Sequence, residues 1–242
     1  MRPLFALSYF LLLAFHLYAG EWAGDHSTYA DAWQYAAWGS KPLLLISLIV
    51  YFLSSGRNMA PFSFDFWILL ALLFSLGGDV ALIFQRISSA YFILGLGSFL
   101  LAHLAYSAAF AKNVLTRPLR DTRSRHQLAH IWGPVVILGI AIAFYLKLYP
   151  HLLSMSIPVA CYTAAIATMV ILALKRSGRV TPASFLPIAI GAFCFFASDA
   201  VLAWNKFVSP VALSHFWIML SYGAAQFFIV WGALQYKIDP IR

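Results

Sequence analysis

Apolar residues run along this chain in long unbroken blocks, and the polar residues gather between the blocks rather than alternating within them. Eight blocks stand out, at residues 4–19, 32–53, 66–84, 89–111, 131–149, 152–174, 183–204 and 211–236. A helix of about 20 apolar residues crosses the hydrocarbon of a bilayer, so each block predicts a membrane-spanning helix. The unbroken runs exclude the weak two-residue alternation of a membrane barrel, and lipid tolerates no third architecture. The second block is interrupted by Lys41-Pro42. Starting it at Pro42 would leave about a dozen residues, too few to cross, so it begins at Ala32 with Lys41 inside the membrane. The first block, with Arg2 before it and Tyr18-Ala19-Gly20 at its end, also fits a secretory signal peptide. An even number of spans and the charge asymmetry below favour a true first span. The expected fold is an all-α integral membrane protein, one domain over residues 1–242, built as a bundle of eight transmembrane helices. The longest polar stretch, residues 112–130, reads as a loop.

Composition agrees with the pattern: 62% of the 242 residues are hydrophobic and 10% charged, where a soluble domain carries about 25% charged residues. Mean hydropathy is +0.82. Charge adds an orientation. Arg2, Arg57, Lys112, Arg117, Arg120, Arg123, Arg125, Lys175, Arg176, Arg179, Lys237 and Arg242 fall on one side of the eight spans. Only Lys41, Arg86, Lys147 and Lys206 fall on the other, with Glu21, Asp25 and Asp31. The positive-inside rule then puts both termini in the cytoplasm. The net charge of +8 is mostly this orientation signal, with anionic membrane lipids as expected partners. The Arg-rich loop is too short to form a nucleic-acid-binding domain. Cys161 and Cys194 lie in apolar blocks and suggest no disulfide.

The candidate chemistry is two carboxylates where carboxylates are expensive. Asp79 lies in FSLGGDVALIF and Asp199 in FFASDAVLAWNKF, each inside an apolar block. A small residue precedes each Asp (Gly78, Ser198) and a Leu follows three positions later (Leu82, Leu202). An ionisable group inside a span marks a functional site by default. The two blocks are four spans apart and run the same way, as in a parallel repeat, although the rest of the two halves does not align. At 1.5 Å per residue, Asp79 is about 20 Å from the basic end of its block and Asp199 about 24 Å. Lys41, Tyr162, His16, Tyr222 and Gln226 fall at about 15 to 21 Å by the same rise, and His103 nearer the basic face at about 12 Å. One layer of the membrane thus collects two carboxylates, an ammonium, a histidine, two phenols and an amide.

These residues carry a resemblance. Lys41-Pro42, Gly78-Asp79 with Leu82, and Phe92, Gly95, Phe99, His103 and Tyr106 are its first half. Tyr162 and Met169, Ser198-Asp199 with Leu202, Ala203 and Phe207, and Tyr222 with Ala225-Gln226 are its second. From the second block to the eighth the chain resembles the YhhN family of eight-span membrane proteins, which includes the lysoplasmalogenases. The resemblance implies hydrolysis of the vinyl ether bond of a lysophospholipid, giving a fatty aldehyde and glycerophosphocholine or glycerophosphoethanolamine. It implies Asp79 and Asp199 as the catalytic pair, with Lys41, Tyr162, Ser198, Tyr222, Gln226, His16 and His103 as binding or supporting residues. The expected location is a bacterial inner membrane.

The chemistry asks for such a set. A vinyl ether hydrolyses by protonation of its β-carbon, which leaves an oxocarbenium ion for water to capture. One protonated acid and one ionised carboxylate divide that work, as in glycosidases. Lys41 can neutralise one Asp, and the cheapest state of the other is protonated, so neither metal nor cofactor is needed and all three are expected to converge on one cavity. Other readings stand beside this one. Lys41 with one Asp is also what a structural buried ion pair looks like. His16, Tyr162 and Gln226 fit interhelical hydrogen bonds, and His103 a packed helix-face histidine. His126 and His130 have the i, i+4 spacing of zinc ligands, with only Asp121 near them. Asp79, Asp199 and Lys41 would also serve a proton-coupled transporter as a relay.

Overall fold

A computed structural model describes residues 3–23, 30–57, 59–116 and 124–236, the side chains of Arg86 and residues 124–129 excepted. Eight α-helices carry these residues: α1 Pro3–Trp22, α2 Ala30–Leu53, α3 Phe64–Ile83, α4 Ser89–Thr116, α5 Ser124–Leu152, α6 Ser156–Lys175, α7 Pro182–Phe207 and α8 Ser214–Leu234. Among the described residues, seven stretches are long and apolar enough to cross a membrane, where the sequence suggested eight. The difference lies at residues 130–175, a single apolar stretch of 46 residues that contains most of α5 and all of α6. A short 3-10 turn, Leu153–Met155, joins the two helices. Leu153 there takes φ of 47°, and α5 and α6 pack against each other. The Tyr145 hydroxyl closes the turn by donating to the Ser156 carbonyl at 3.2 Å.

Local chemistry sets the helix ends. Ser63 caps α3, its hydroxyl accepting from the Phe66 amide at 3.0 Å, which satisfies one of the orphan donors of a first turn. Pro182 opens α7 in the first turn, where its missing N–H costs nothing. Gly56 and Gly178, just past α2 and α6, both take φ of 69°, the left-handed conformation that ends helices and suits residues without a Cβ. Pro42 does not break α2, which runs through it from Ala30. Lys41 therefore sits mid-helix, as the sequence suggested.

The bundle is closest-packed in two pairs, α3 on α4 and α7 on α8. Small residues allow the approach: a Cβ on Gly191 of α7 would stand 2.8 Å from the Ala225 carbonyl oxygen and 3.0 Å from the Ile229 nitrogen in α8. Both obstacles are backbone, which cannot swing aside. Gly191→Ala should therefore destabilise the protein by about 1–3 kcal/mol, read as a lower unfolding temperature in detergent. An unchanged temperature would mean that the two helices are not so tightly joined.

Two arginines expected to mark the basic side turn into the protein. Arg57 pairs with Asp65 at 2.8 Å and donates to the Tyr236 and Ala233 carbonyls at 2.8 and 3.1 Å, satisfying the end of α8. Arg176 is fully buried, bonded to Asn113 Oδ1 and Ser184 Oγ, each at 2.8 Å, between the rings of Phe64 and Phe110. Arg2, Asp25, Arg117, Arg120, Asp121, Arg123, Lys237 and Arg242 lie outside the described residues, six of them among the twelve basic residues counted for orientation.

Candidate active site

Helices α3 and α7 carry their carboxylates to similar heights: at 1.5 Å per residue, Asp79 is about 22 Å from Phe64 and Asp199 about 26 Å from Pro182. His103 was placed too low by the sequence. Helix α4 runs to Thr116, five residues past its apolar block, because an amphipathic last turn has no apolar signature. His103 is therefore about 20 Å from that end and joins the layer.

Asp79 is 1% exposed and sits 3.4 Å from the Lys41 ammonium. The Tyr222 hydroxyl donates to its Oδ2 at 2.7 Å. One residue before Lys41, the Ser40 hydroxyl bonds His16 Nδ1 at 2.9 Å, and the His16 ring lies 5.2 Å from that of His215. Asp199 has different company. The Tyr162 hydroxyl donates to its Oδ2 at 2.8 Å, and His103 Nε2 stands 3.0 Å from the same oxygen and 3.0 Å from the Tyr162 oxygen. With Nε2 as donor to these two oxygens, His103 Nδ1 is a buried acceptor with no hydrogen-bond partner among the described residues. His103 is thus a direct hydrogen-bond partner of Asp199 rather than a merely packed residue.

The structure therefore holds two polar clusters where one shared cavity was expected. Lys41 joins Asp79 and not Asp199. Phe195 stands between the clusters, its ring 4.6 Å from His103 and 5.4 Å from Tyr222. Phe99 packs edge-on to Tyr222 and Phe195. Phe195 is one helical turn before Asp199 on the same face of α7, a spacing legible in the sequence. The remaining candidates lie to the side. Ser198 donates to the Ile218 carbonyl at 3.0 Å, and Gln226 accepts from Tyr106 at 2.6 Å. His130 Nε2 donates to the Ser177 carbonyl at 3.0 Å, while the His126 side chain and Asp121 lie outside the described set.

The clusters mirror each other. Asp79 takes Lys41 from the helix before its own and Tyr222 from α8. Asp199 takes Tyr162 from the helix before its own and His103 from α4. Lys41 stands 38 positions before Asp79 and Tyr162 37 before Asp199, while His103 follows Asp79 by 24 positions and Tyr222 follows Asp199 by 23. Residues at matching offsets thus play matching parts, with the following helix exchanged between halves. A parallel repeat of four helices gives this arrangement, and each half completes the other's carboxylate site.

A cavity opens at one of the two. Phe92, Leu96, Phe144, Val159, Ile166 and Phe207 are among its walls, with Tyr162, Thr163, Asp199 and Lys206 as its polar and charged lining; Asp79 and Lys41 are not part of it. Its volume is about 60 Å³. Asp199 is 14% exposed there. Both of its hydrogen bonds fall on Oδ2, which leaves Oδ1 free among the described residues to meet a bound molecule. No group of three metal-ligating side chains occurs among the described residues.

Residues 36–233 match the YhhN family. The chain is 32% identical over 179 residues to the bovine (Bos taurus) lysoplasmalogenase TMEM86A, a match covering 72% of this chain and 68% of that one. It is 34% identical over 174 residues to a lysoplasmalogenase of Mycobacterium tuberculosis, covering 69% and 59%. It is 32% identical over 167 residues to the human lysoplasmalogenase TMEM86B, covering 68% and 62%. No solved structure matches the chain. Family match, helical bundle and paired intramembrane carboxylates agree, and the chain belongs to the YhhN family of integral membrane proteins.

Proposed function

We propose that this protein is a lysoplasmalogenase, hydrolysing the vinyl ether bond of single-chain plasmalogens with Asp199 as its acid. The observation that carries the reading is the cavity, which brings one carboxylate, braced by a phenol and an imidazole, to the wall of a small apolar pocket between α4, α5, α6 and α7. Apolar walls with a few polar groups among them are what orient a ligand in a binding pocket. The curated relatives that bear the name support the choice of substrate.

In the proposed reaction Asp199 gives its proton to the β-carbon of the vinyl ether, whose π electrons form the new C–H bond. The α-carbon becomes an oxocarbenium ion facing the carboxylate just formed. Water adds to that carbon and returns a proton to the free Oδ1 of Asp199, while His103 holds Oδ2 at 3.0 Å. The hemiacetal then breaks its bond to the glycerol oxygen, which takes up the hydroxyl proton, and aldehyde and glycerophospho-alcohol leave. Tyr162 holds Oδ2 throughout, so that Oδ1 carries the mobile proton. Asp79 acts through Lys41 and Tyr222, as a positioning residue. The Lys and Arg count supports an orientation with both termini on the cytoplasmic side of the membrane.

Solvent deuterium tests the proton transfer. In heavy water the α-carbon of the aldehyde, formerly the β-carbon, should carry deuterium when the product is reduced to the alcohol as it forms. Turnover should also slow, because the transferred proton is in flight at the barrier. Product without α-deuterium would exclude carbon protonation. No product, with solute uptake coupled to a proton gradient in vesicles, would make the protein a transporter.

A further inference from the structure

Lys206 is one of four Lys or Arg residues that the charge count leaves on the poorly basic side of the protein. It lines the same cavity as Asp199. The two are seven residues apart on α7, two turns, which puts them on one face with about 10 Å between their levels. The ammonium of Lys206 rests 4.6 Å from the centre of the Phe92 ring, itself a cavity wall, and it forms no ion pair among the described residues. The end of the helix is braced around it. Trp204 donates to the Ser209 hydroxyl at 3.2 Å and the Val211 amide to Asn205 Oδ1 at 2.9 Å. The cavity is thus ordered along the membrane, with a cation at its rim, a carboxylate two turns deeper, and Ile166 and Phe196 beyond.

We infer that Lys206 binds the substrate's phosphate and so sets which bond reaches Asp199, an assignment that rests on the vinyl-ether reading above. Seven bonds separate the β-carbon of a lysoplasmalogen from its phosphorus. At roughly 1.2 Å per bond of an extended chain, that is about 8 Å, within about 2 Å of the rise between the two residues along α7, a difference the flexible lysine side chain can take up. A phosphate held at Lys206 places the vinyl ether beside Asp199 and sends the single chain on past Ile166 and Phe196. Lysine also suits the last turn of any helix by its charge, so the test must separate phosphate binding from simple helix support.

Purified Lys206→Met, with Lys206→Arg and Lys147→Met beside it, should be assayed on two substrates with the same alkenyl chain. One is a 1-alkenyl-glycerophosphoethanolamine, the other a 1-alkenylglycerol without phosphate. Loss of a charge-assisted contact should raise KM for the phospholipid about tenfold or more, leaving its kcat and both constants for the alkenylglycerol within about twofold of the parent. Lys206→Arg should restore most of the affinity, and Lys147→Met, which changes another cation of the same side, should leave both substrates unaffected. Equal effects on the two substrates, or none, would overturn the assignment. If the parent protein releases no aldehyde, the reaction is wrong but Lys206 remains testable. A non-hydrolysable 1-alkyl-glycerophosphocholine should then raise the unfolding temperature of the parent and not of Lys206→Met, and equal shifts would again reject it.

Discussion

Asp199→Asn should lower aldehyde release from a lysoplasmalogen by about 10²- to 10⁴-fold, the range set by losing a general acid. The amide has the shape of the acid, and its oxygen accepts the Tyr162 and His103 bonds that now fall on Oδ2. What it lacks is an acidic proton and the charge that follows the proton's departure. The unfolding temperature should therefore stay close to that of the parent while turnover collapses. Asp199 is partly exposed to the cavity, so the substitution strands no deeply buried charge. An Asn variant that keeps most of its activity would remove the carboxylate from the mechanism, and with it the reason for assigning the cavity to vinyl ethers.

Much of this was legible before any coordinates. Asp79, Asp199 and Lys41 are conspicuous because charge in an apolar run is costly and therefore rare, and the helical rise alone put them at similar heights. What the sequence hid is who pairs with whom. Lys41 was free to neutralise either carboxylate, since height says nothing about the direction a side chain takes around its helix axis. The exchange of partners between the two halves, Tyr222 to Asp79 and His103 to Asp199, depends on which helices neighbour which, and hydropathy does not encode that. His103 was underrated for a simpler reason: its helix continues past the apolar block, so a depth measured from the block's edge was short by about 7 Å. Lys206 was counted as an orientation residue because nothing in the sequence shows a cavity. The matching offsets of Lys41 and Tyr162, and of His103 and Tyr222, became visible only when contacts showed which positions to compare.

The Asp79 cluster is where a structural role and a catalytic one diverge. Asp79 is 1% exposed and Lys41 17%. Removing one member of a buried pair leaves the other uncompensated, at a cost of about 3–5 kcal/mol, and the partial exposure of Lys41 puts this pair toward the lower end of that range. Asp79→Asn and Lys41→Met should each lower the unfolding temperature by several degrees and reduce turnover with it. The path to the reacting site runs through Tyr222, whose ring packs on Phe195, which in turn packs on the His103 ring. The double variant Lys41→Met/Asp79→Asn carries no unpaired charge, and its amide still accepts the Tyr222 hydroxyl. It should regain most of the lost stability, a coupling that a double-mutant cycle measures directly. If Asp79 only positions the site, turnover should return along with the stability. Recovered stability with turnover still as low as in Asp199→Asn would put Asp79 back among the groups that handle the proton, and the two carboxylates would have to act on one substrate across the Phe195 ring.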